Sequence, residues 1–263
     1  MPEGLRISPE IVKNHLVHFI RNELKKAGFN RLVLGVSGGL DSTVVAFLSA
    51  EAIGAVNVTG VILPYSESNR ENINDAEQVI KKLKINRRFV DITPMIDAYF
   101  INHPTTDRNR RGNKIARERM SILYDISAEL KALVIGTSNK SEILMGYGTL
   151  FGDLACALNP LGNLYKTQVR QLASYLEVPD KIIAKPPSAD LWKGQTDEGE
   201  LGLTYEKLDT FLYYLIEQDY TDRMLQKKGF SSDFIKTVKD KIARNAFKRS
   251  LPKIADVRGA KIG

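Results

Sequence analysis

The apolar positions of this chain alternate between short runs and helical periods. An amphipathic stretch from about Pro9 to Ala27 predicts an opening helix. Apolar runs of strand length follow at Leu32 to Val36, Val58 to Leu63, Arg88 to Ile92 and Leu133 to Ile135. Between them, helical periods near Ser42 to Ile53, Asn69 to Leu83 and Lys114 to Leu130 predict helices. Strands joined through helices need crossover connections, so the expected fold class is α/β: a doubly wound, mostly parallel sheet with helices on both faces. From about Thr204 onward the pattern is helical only, ending in an amphipathic segment near Ser231 to Ser250 and a basic tail. No repeat and no long Pro/Gly/Ser linker interrupts the 263 residues, so the expectation is one domain over 1–263 with a helical C-terminal part.

Composition narrows the class only a little. Hydrophobic residues at 43% and charged residues at 26% are ordinary globular usage, which argues against wholesale disorder. No apolar run reaches the roughly eighteen residues needed to span a bilayer. The opening MPEGLRISPE lacks the basic and then apolar plan of a secretory signal, so a cytoplasmic protein is expected. A lone cysteine, Cys156, excludes an internal disulfide framework and a cysteine-based zinc site; its apolar neighbours LACAL predict an inert packed side chain. His15, His18 and His103 are too few and too scattered for a histidine metal site. The net charge of +7 implies attraction to anions, be they nucleotides, RNA or acidic lipids, without choosing among them. Short basic clusters at Arg108, Arg110 and Arg111 and at Lys248 and Arg249 read as solvated surface unless a motif recruits them.

Chemistry enters where the first strand, RLVLGV, runs into SGGLDS (Ser37 to Ser42) and directly on into a helical stretch. Adjacent glycines, Gly38 and Gly39, let backbone N–H groups turn toward a ligand, and the helix N-terminus adds about half a positive charge. That combination predicts a bound anion. Ser37 and Ser42 can donate to phosphate oxygens, whereas the carboxylate of Asp41 cannot and is better explained as a magnesium ligand bridging loop and phosphate. The loop has neither the lysine of G-x-x-x-x-G-K-[ST] nor the spacing of G-x-G-x-x-G.

SGGxDS after a first strand resembles the ATP pyrophosphatases, which implies an adenine nucleotide alpha hydrolase-like fold and cleavage between the α and β phosphates. ATP contacts are then expected along Gly35, Val36, Ser37, Gly38, Gly39, Leu40, Asp41 and Ser42. Three further segments are similar to the ammonia-dependent NAD synthetase family. RGNKIARERM (Arg111 to Met120) resembles the helix that binds the deamidated dinucleotide, which implies contacts from Asn113 and Arg117. In VIGTSNKSEILMGYGTLFGD (Val134 to Asp153), the resemblance implies that Thr137 contacts ATP and that Glu142 joins Asp41 on magnesium. Asp153 there is the candidate for positioning and deprotonating ammonium. KPPSADLWKGQTDEGELGLTY (Lys185 to Tyr205) resembles the family's active-site cover, with Ser188 reaching ATP, Glu200 the dinucleotide, and Trp192 and Gln195 closing the site. Lys166 in NLYKTQVR matches the lysine that stabilises phosphate charge as pyrophosphate leaves, and Lys248 in AFKRSLP a second dinucleotide-binding position.

The resemblance implies ATP-dependent amidation of deamido-NAD to NAD through an acyl-adenylate, with AMP and pyrophosphate released, by a C–N-bond-forming ligase. Magnesium is the implied cofactor, ATP the co-substrate, and a homodimer the implied assembly, with the first helix offering part of an apolar surface. Leu150, Ala157 and Phe247 depart from the ammonia-using pattern, the first two in the direction of longer glutamine-using relatives. Those relatives carry an added amidase domain, for which too little chain precedes Leu32; free ammonia is expected, with a separate glutaminase left open. The rival readings are a tRNA-modifying ATP pyrophosphatase, whose sulfur chemistry calls for paired cysteines, and a catalytically silent nucleotide-binding module, against which Asp41, Glu142 and Lys166 stand together.

Overall fold

The computed structural model describes residues 2–103, 106–188, 192, 199, 202–250 and 252–255. Four parallel strands, β1 (Leu32–Gly35), β2 (Val58–Ile62), β3 (Asn86–Phe89) and β4 (Leu133–Val134), form a sheet in the order β3-β2-β1-β4. Leu32 pairs with Val58 on one side and with Leu133 on the other, so β1 is central. Beyond β4, a parallel bridge from Ile135 to Leu158 extends the pairing.

Alternation along the strands explains the layers. Leu32, Leu34, Val58 and Ile62 point into one core, shared with helices α1 (Pro9–Lys26), α2 (Leu40–Ile53) and α3 (Arg70–Leu83). The intervening Val33 and Val61 point into a second core, shared with α4 (Thr93–Phe100) and α5 (Arg108–Leu130). Burial on both faces is what parallel strands require, and it explains why these strands read as continuous apolar runs. The doubly wound expectation is met.

Among the described residues the further α-helices are α6 (Lys140–Met145), α7 (Lys166–Tyr175), α8 (Asp180–Ile183), α9 (Tyr205–Leu212), α10 (Asp222–Lys227) and α11 (Ser232–Arg244). α7 packs into the first core through Val169, Leu172 and Ala173. Tyr205, Leu208 and Phe211 of α9 form a third core with Met145 of α6 and with Ile235 and Val238 of α11. The helical C-terminal part therefore packs on α6 and, through α9, on α7.

Several boundaries differ from those the pattern predicts. The third strand runs over Asn86–Phe89 and not Arg88 to Ile92, because Thr59 to Ile62 of β2 fix its register. All four of its residues are exposed, as befits an edge strand: Arg87 pairs with Glu77, and Arg88 with Glu129 at 2.7 Å. The apolar Ile92 that suggested a strand instead enters the second core at the start of α4. α5 starts at Arg108, ahead of Lys114, because the Asp107 side chain caps it by accepting the Arg110 N–H at 2.9 Å. α1 buries Leu16, Val17, Ile20 and Leu24 inside the fold and leaves Ile11 exposed. Among the described residues no helix is long and apolar enough to cross a membrane.

Candidate active site

Strand order reverses between β1 and β4, and in open α/β sheets ligands bind where such a reversal leaves a crevice beyond the strand ends. The loops leaving these two strands build one wall each of a cleft of about 490 Å³. After β1, the chain turns through Gly38 at φ +76°, a conformation that favours glycine; a Cβ there would also lie 2.1 Å from the Asn72 carbonyl oxygen. Gly39 then opens α2 without a side-chain cap, so the helix presents bare N–H groups to the cleft. Ser37 and Ser42 hold the loop shut on itself: their hydroxyls lie 3.0 Å apart, and the Gly39 N–H donates to Ser37 Oγ at 3.2 Å.

After β4, Gly136, Thr137 and Ser138 lead to Asn139, which caps α6. Its Oδ1 accepts the Glu142 N–H at 3.1 Å, and its own N–H donates to Glu142 Oε2 at 3.3 Å, a reciprocal capping box. Its Nδ2 reaches across the crevice to Asp41 Oδ1 at 3.2 Å, joining the two loops. Lys166, at the start of α7 and 3% exposed, extends its ammonium into the same spot. There it pairs with Asp41 Oδ2 and, at 3.2 Å, with Glu142 Oε1.

Lys166 is itself held from behind. Its N–H donates to Ser141 Oγ at 3.0 Å; that hydroxyl donates to Asp209 Oδ1, and Asp209 Oδ2 accepts the Thr167 N–H at 2.8 Å. Asp209 is wholly buried on α9, and burial raises its carboxyl pKa against the bonds from Ser141 and Thr167. No sequence motif marks Asp209, since an acid inside an ordinary helical pattern gives no signal until the partner elements are known; Asn139 lies in the segment Val134 to Asp153, where Asn followed three residues later by Glu142 signals a helix start.

Of the expected site residues, Gly35, Val36, Ser37, Gly39, Leu40, Asp41, Ser42, Asn113, Thr137, Glu142, Asp153, Lys166, Ser188 and Lys248 all line the cleft, with Trp192. Gly38 stands behind the lining and shapes the turn. Arg117 is exposed on α5 outside the lining and donates to the Leu150 carbonyl at 3.3 Å. Glu200 and Gln195 lie outside the described residues. Leu63, Arg119, Tyr147 and Lys185 also line the cleft without having stood out in the sequence as site residues.

At the far end, the Asp153 carboxylate accepts the Thr149 N–H at 2.8 Å, and Thr149 Oγ1 donates to Asn113 Oδ1 at 2.8 Å. Asp153 keeps surface open to the cleft, yet the protein around its carboxyl desolvates it enough to raise its pKa, against the Thr149 N–H and the Lys248 charge. Lys248 Nζ donates to the Gly146 and Gly148 carbonyls, both at 2.8 Å, and burial lowers its pKa. Burial also pushes the Cys156 thiol up, in keeping with an inert cysteine.

Asp41 and Glu142 place hard oxygen donors around one point beside the phosphate loop, which suits magnesium. Among the described residues no group of three or more His, Cys, Asp or Glu converges. A cation here would therefore draw its other ligands from phosphate and water, as magnesium does in nucleotide sites.

Known proteins are similar to this chain over nearly its full length. The NH(3)-dependent NAD(+) synthetase of Fusobacterium nucleatum is 50% identical, over 94% of this chain and 96% of its own length. That of Pelodictyon phaeoclathratiforme is 47% identical, over 98% and 93%. Among solved structures, an NMN synthetase from Francisella tularensis superposes with a TM-score of 0.85 at 34% identity, covering 95% of this chain and all of its own. The NH3-dependent NAD synthetase from Campylobacter jejuni, in complex with nitrate, superposes at 0.81 with 35% identity and the same coverage. The model of the NAD synthase family matches residues 12–252, and the chain belongs to that family.

Proposed function

We propose that the chain amidates deamido-NAD with ammonia at the expense of ATP, giving NAD, AMP and pyrophosphate. One observation carries this reading: Asp41, Glu142 and Lys166 meet at the uncapped head of α2, where a triphosphate can be gripped and its leaving charge balanced. ATP lies with its phosphates over the loop 35–42 and is contacted by Thr137 and Ser188. Deamido-NAD occupies the end of the cleft near Asn113, Asp153 and Lys248, with Arg117 and Glu200 as further contacts.

A nicotinate carboxylate oxygen attacks the α-phosphorus. The new O–P bond forms as the bond from that phosphorus to the bridging oxygen breaks, and pyrophosphate leaves with the electron pair. Lys166 and the α2 N-terminus stabilise the charge that develops. Asp41 and Glu142 would hold magnesium, which supplies further neutralisation of phosphate charge when bound. Asp153, its pKa raised by desolvation at the cleft wall, takes a proton from ammonium. The freed nitrogen lone pair attacks the acyl carbon, the acyl C–O bond to AMP breaks with its electron pair on the AMP oxygen, and the nitrogen releases a second proton to solvent to give the amide. The cleft walls, Trp192 among them, limit the water that would hydrolyse the adenylate. A homodimer working in the cytoplasm belongs to the same reading.

The test incubates the protein with ATP, magnesium, ammonium and either deamido-NAD or nicotinate mononucleotide. NAD, AMP and pyrophosphate in equal amounts from the dinucleotide are expected. Turnover of the mononucleotide alone would overturn the substrate assignment, and ATP cleavage that needs tRNA would overturn the reaction.

A further inference from the structure

Lys185 sits just after α8, 147 residues from the phosphate loop in sequence, yet its ammonium reaches the loop's backbone. Nζ donates to the Gly38 carbonyl at 3.3 Å, to Asn72 Oδ1 at 2.8 Å and to Asp75 Oδ2. Asp75 is only 1% exposed, and Lys181 pairs with its other oxygen. An ammonium has three protons, and these three acceptors use all of them. Lys185 therefore has no donor left for a phosphate, although it lines the cleft.

Its contact with Gly38 has a geometric consequence. Among the described residues no peptide bond is cis, so the Gly38 C=O and the Gly39 N–H point in opposite directions. Holding that carbonyl toward α3 keeps the Gly39 N–H on the cleft side, beside Ser37 Oγ. A glycine pair imposes little preference of its own, and the reversed peptide would aim a carbonyl oxygen at the triphosphate. Asn72 serves the same wall twice, through its side chain to Lys185 and through the backbone oxygen against which Gly38 packs.

We infer that Lys185, anchored by Asp75 and Asn72, is a positioning residue that locks the Gly38–Gly39 peptide in the orientation that binds phosphate. The inference rests on ATP occupying the loop, as proposed above. Its test measures ATP binding by calorimetry without deamido-NAD, for the wild type, Lys185→Met and Lys185→Arg, with KM for deamido-NAD and the melting temperature of each. Lys185→Met is expected to weaken ATP about tenfold, the scale of one charge-assisted hydrogen bond, and to shift the Gly39 amide resonance. KM for deamido-NAD should stay within about twofold, and Lys185→Arg should recover part of the loss. Unchanged ATP affinity in Lys185→Met would overturn the lock. So would parallel losses for both substrates with a lowered melting temperature, which mark general damage. A wild type that binds no ATP would instead sink the functional reading beneath it.

Discussion

Lys166 and Asp41, 125 residues apart in sequence, form an ion pair at the head of α2, with the lysine almost wholly buried. Replacing Lys166 with methionine removes the charge that the proposed mechanism sets against the departing pyrophosphate, and with it the ammonium between Asp41 and Glu142. The expected outcome is a fall in kcat of roughly 10²–10³, the scale of one lost electrostatic stabiliser. Steady-state pyrophosphate release measures it, and a variant with kcat near wild type would remove Lys166 from the mechanism.

Asn139 joins two loops, capping α6 while donating to Asp41. Asn139→Ala is expected to cost about 1 kcal/mol of stability, the worth of a helix cap. It should also raise the magnesium concentration at half-maximal rate, since Asp41 loses its orienting partner. Urea unfolding reads the first effect and a magnesium titration the second.

Gly38→Ala places a Cβ against the Asn72 carbonyl and asks an L-residue to hold φ +76°. The left-handed backbone alone costs about 1–2 kcal/mol, and the clash adds to it. ATP binding by calorimetry should fall at least tenfold; the same change at Gly28, also at positive φ but in open space, should leave it intact.

Acid stability follows from Asp75. Burial works to raise its carboxyl, but the bonds from Lys181 and Lys185 outweigh burial and hold it below its ordinary value of 3.8. A depressed folded pKa means that Asp75 stabilises the fold fully above the unfolded value and loses this contribution as pH falls through the folded one. Asp75→Asn should therefore be less stable than wild type at pH 7, with the gap closing below about pH 4. Urea midpoints across that range check it; a gap independent of pH would mean that the charge is not what stabilises.

Asp153→Asn keeps the hydrogen bond from Thr149 but cannot take a proton. A loss of about 10²-fold in kcat/KM for ammonium is expected, with KM for ATP little changed. An ammonium saturation series at fixed ATP separates the two.

The parts of the site that were legible in the sequence are local. Strand, glycine pair, Asp41 and helix start lie within a few residues, so their geometry follows from backbone rules alone. Thr137 and Glu142 follow β4 just as closely. What joins them is not local: Lys185 meets Asp75 across 110 residues, and Asp209 reaches Thr167 across 42. No periodicity encodes such pairings, so neither Asp75 nor Asp209 carries a mark of its role. The misplaced third strand has a related cause. An edge strand needs no apolar face, so the hydrophobic pattern pointed to the neighbouring Val90 and Ile92, which the second core claims.

That edge has one more effect. Its two guanidinium groups, each tethered to a carboxylate of the same chain, would have to shed hydration before another backbone could dock alongside β3. The ladder therefore stops at a charged border, and crowded copies of the protein have little means of growing cross-β fibres from this side.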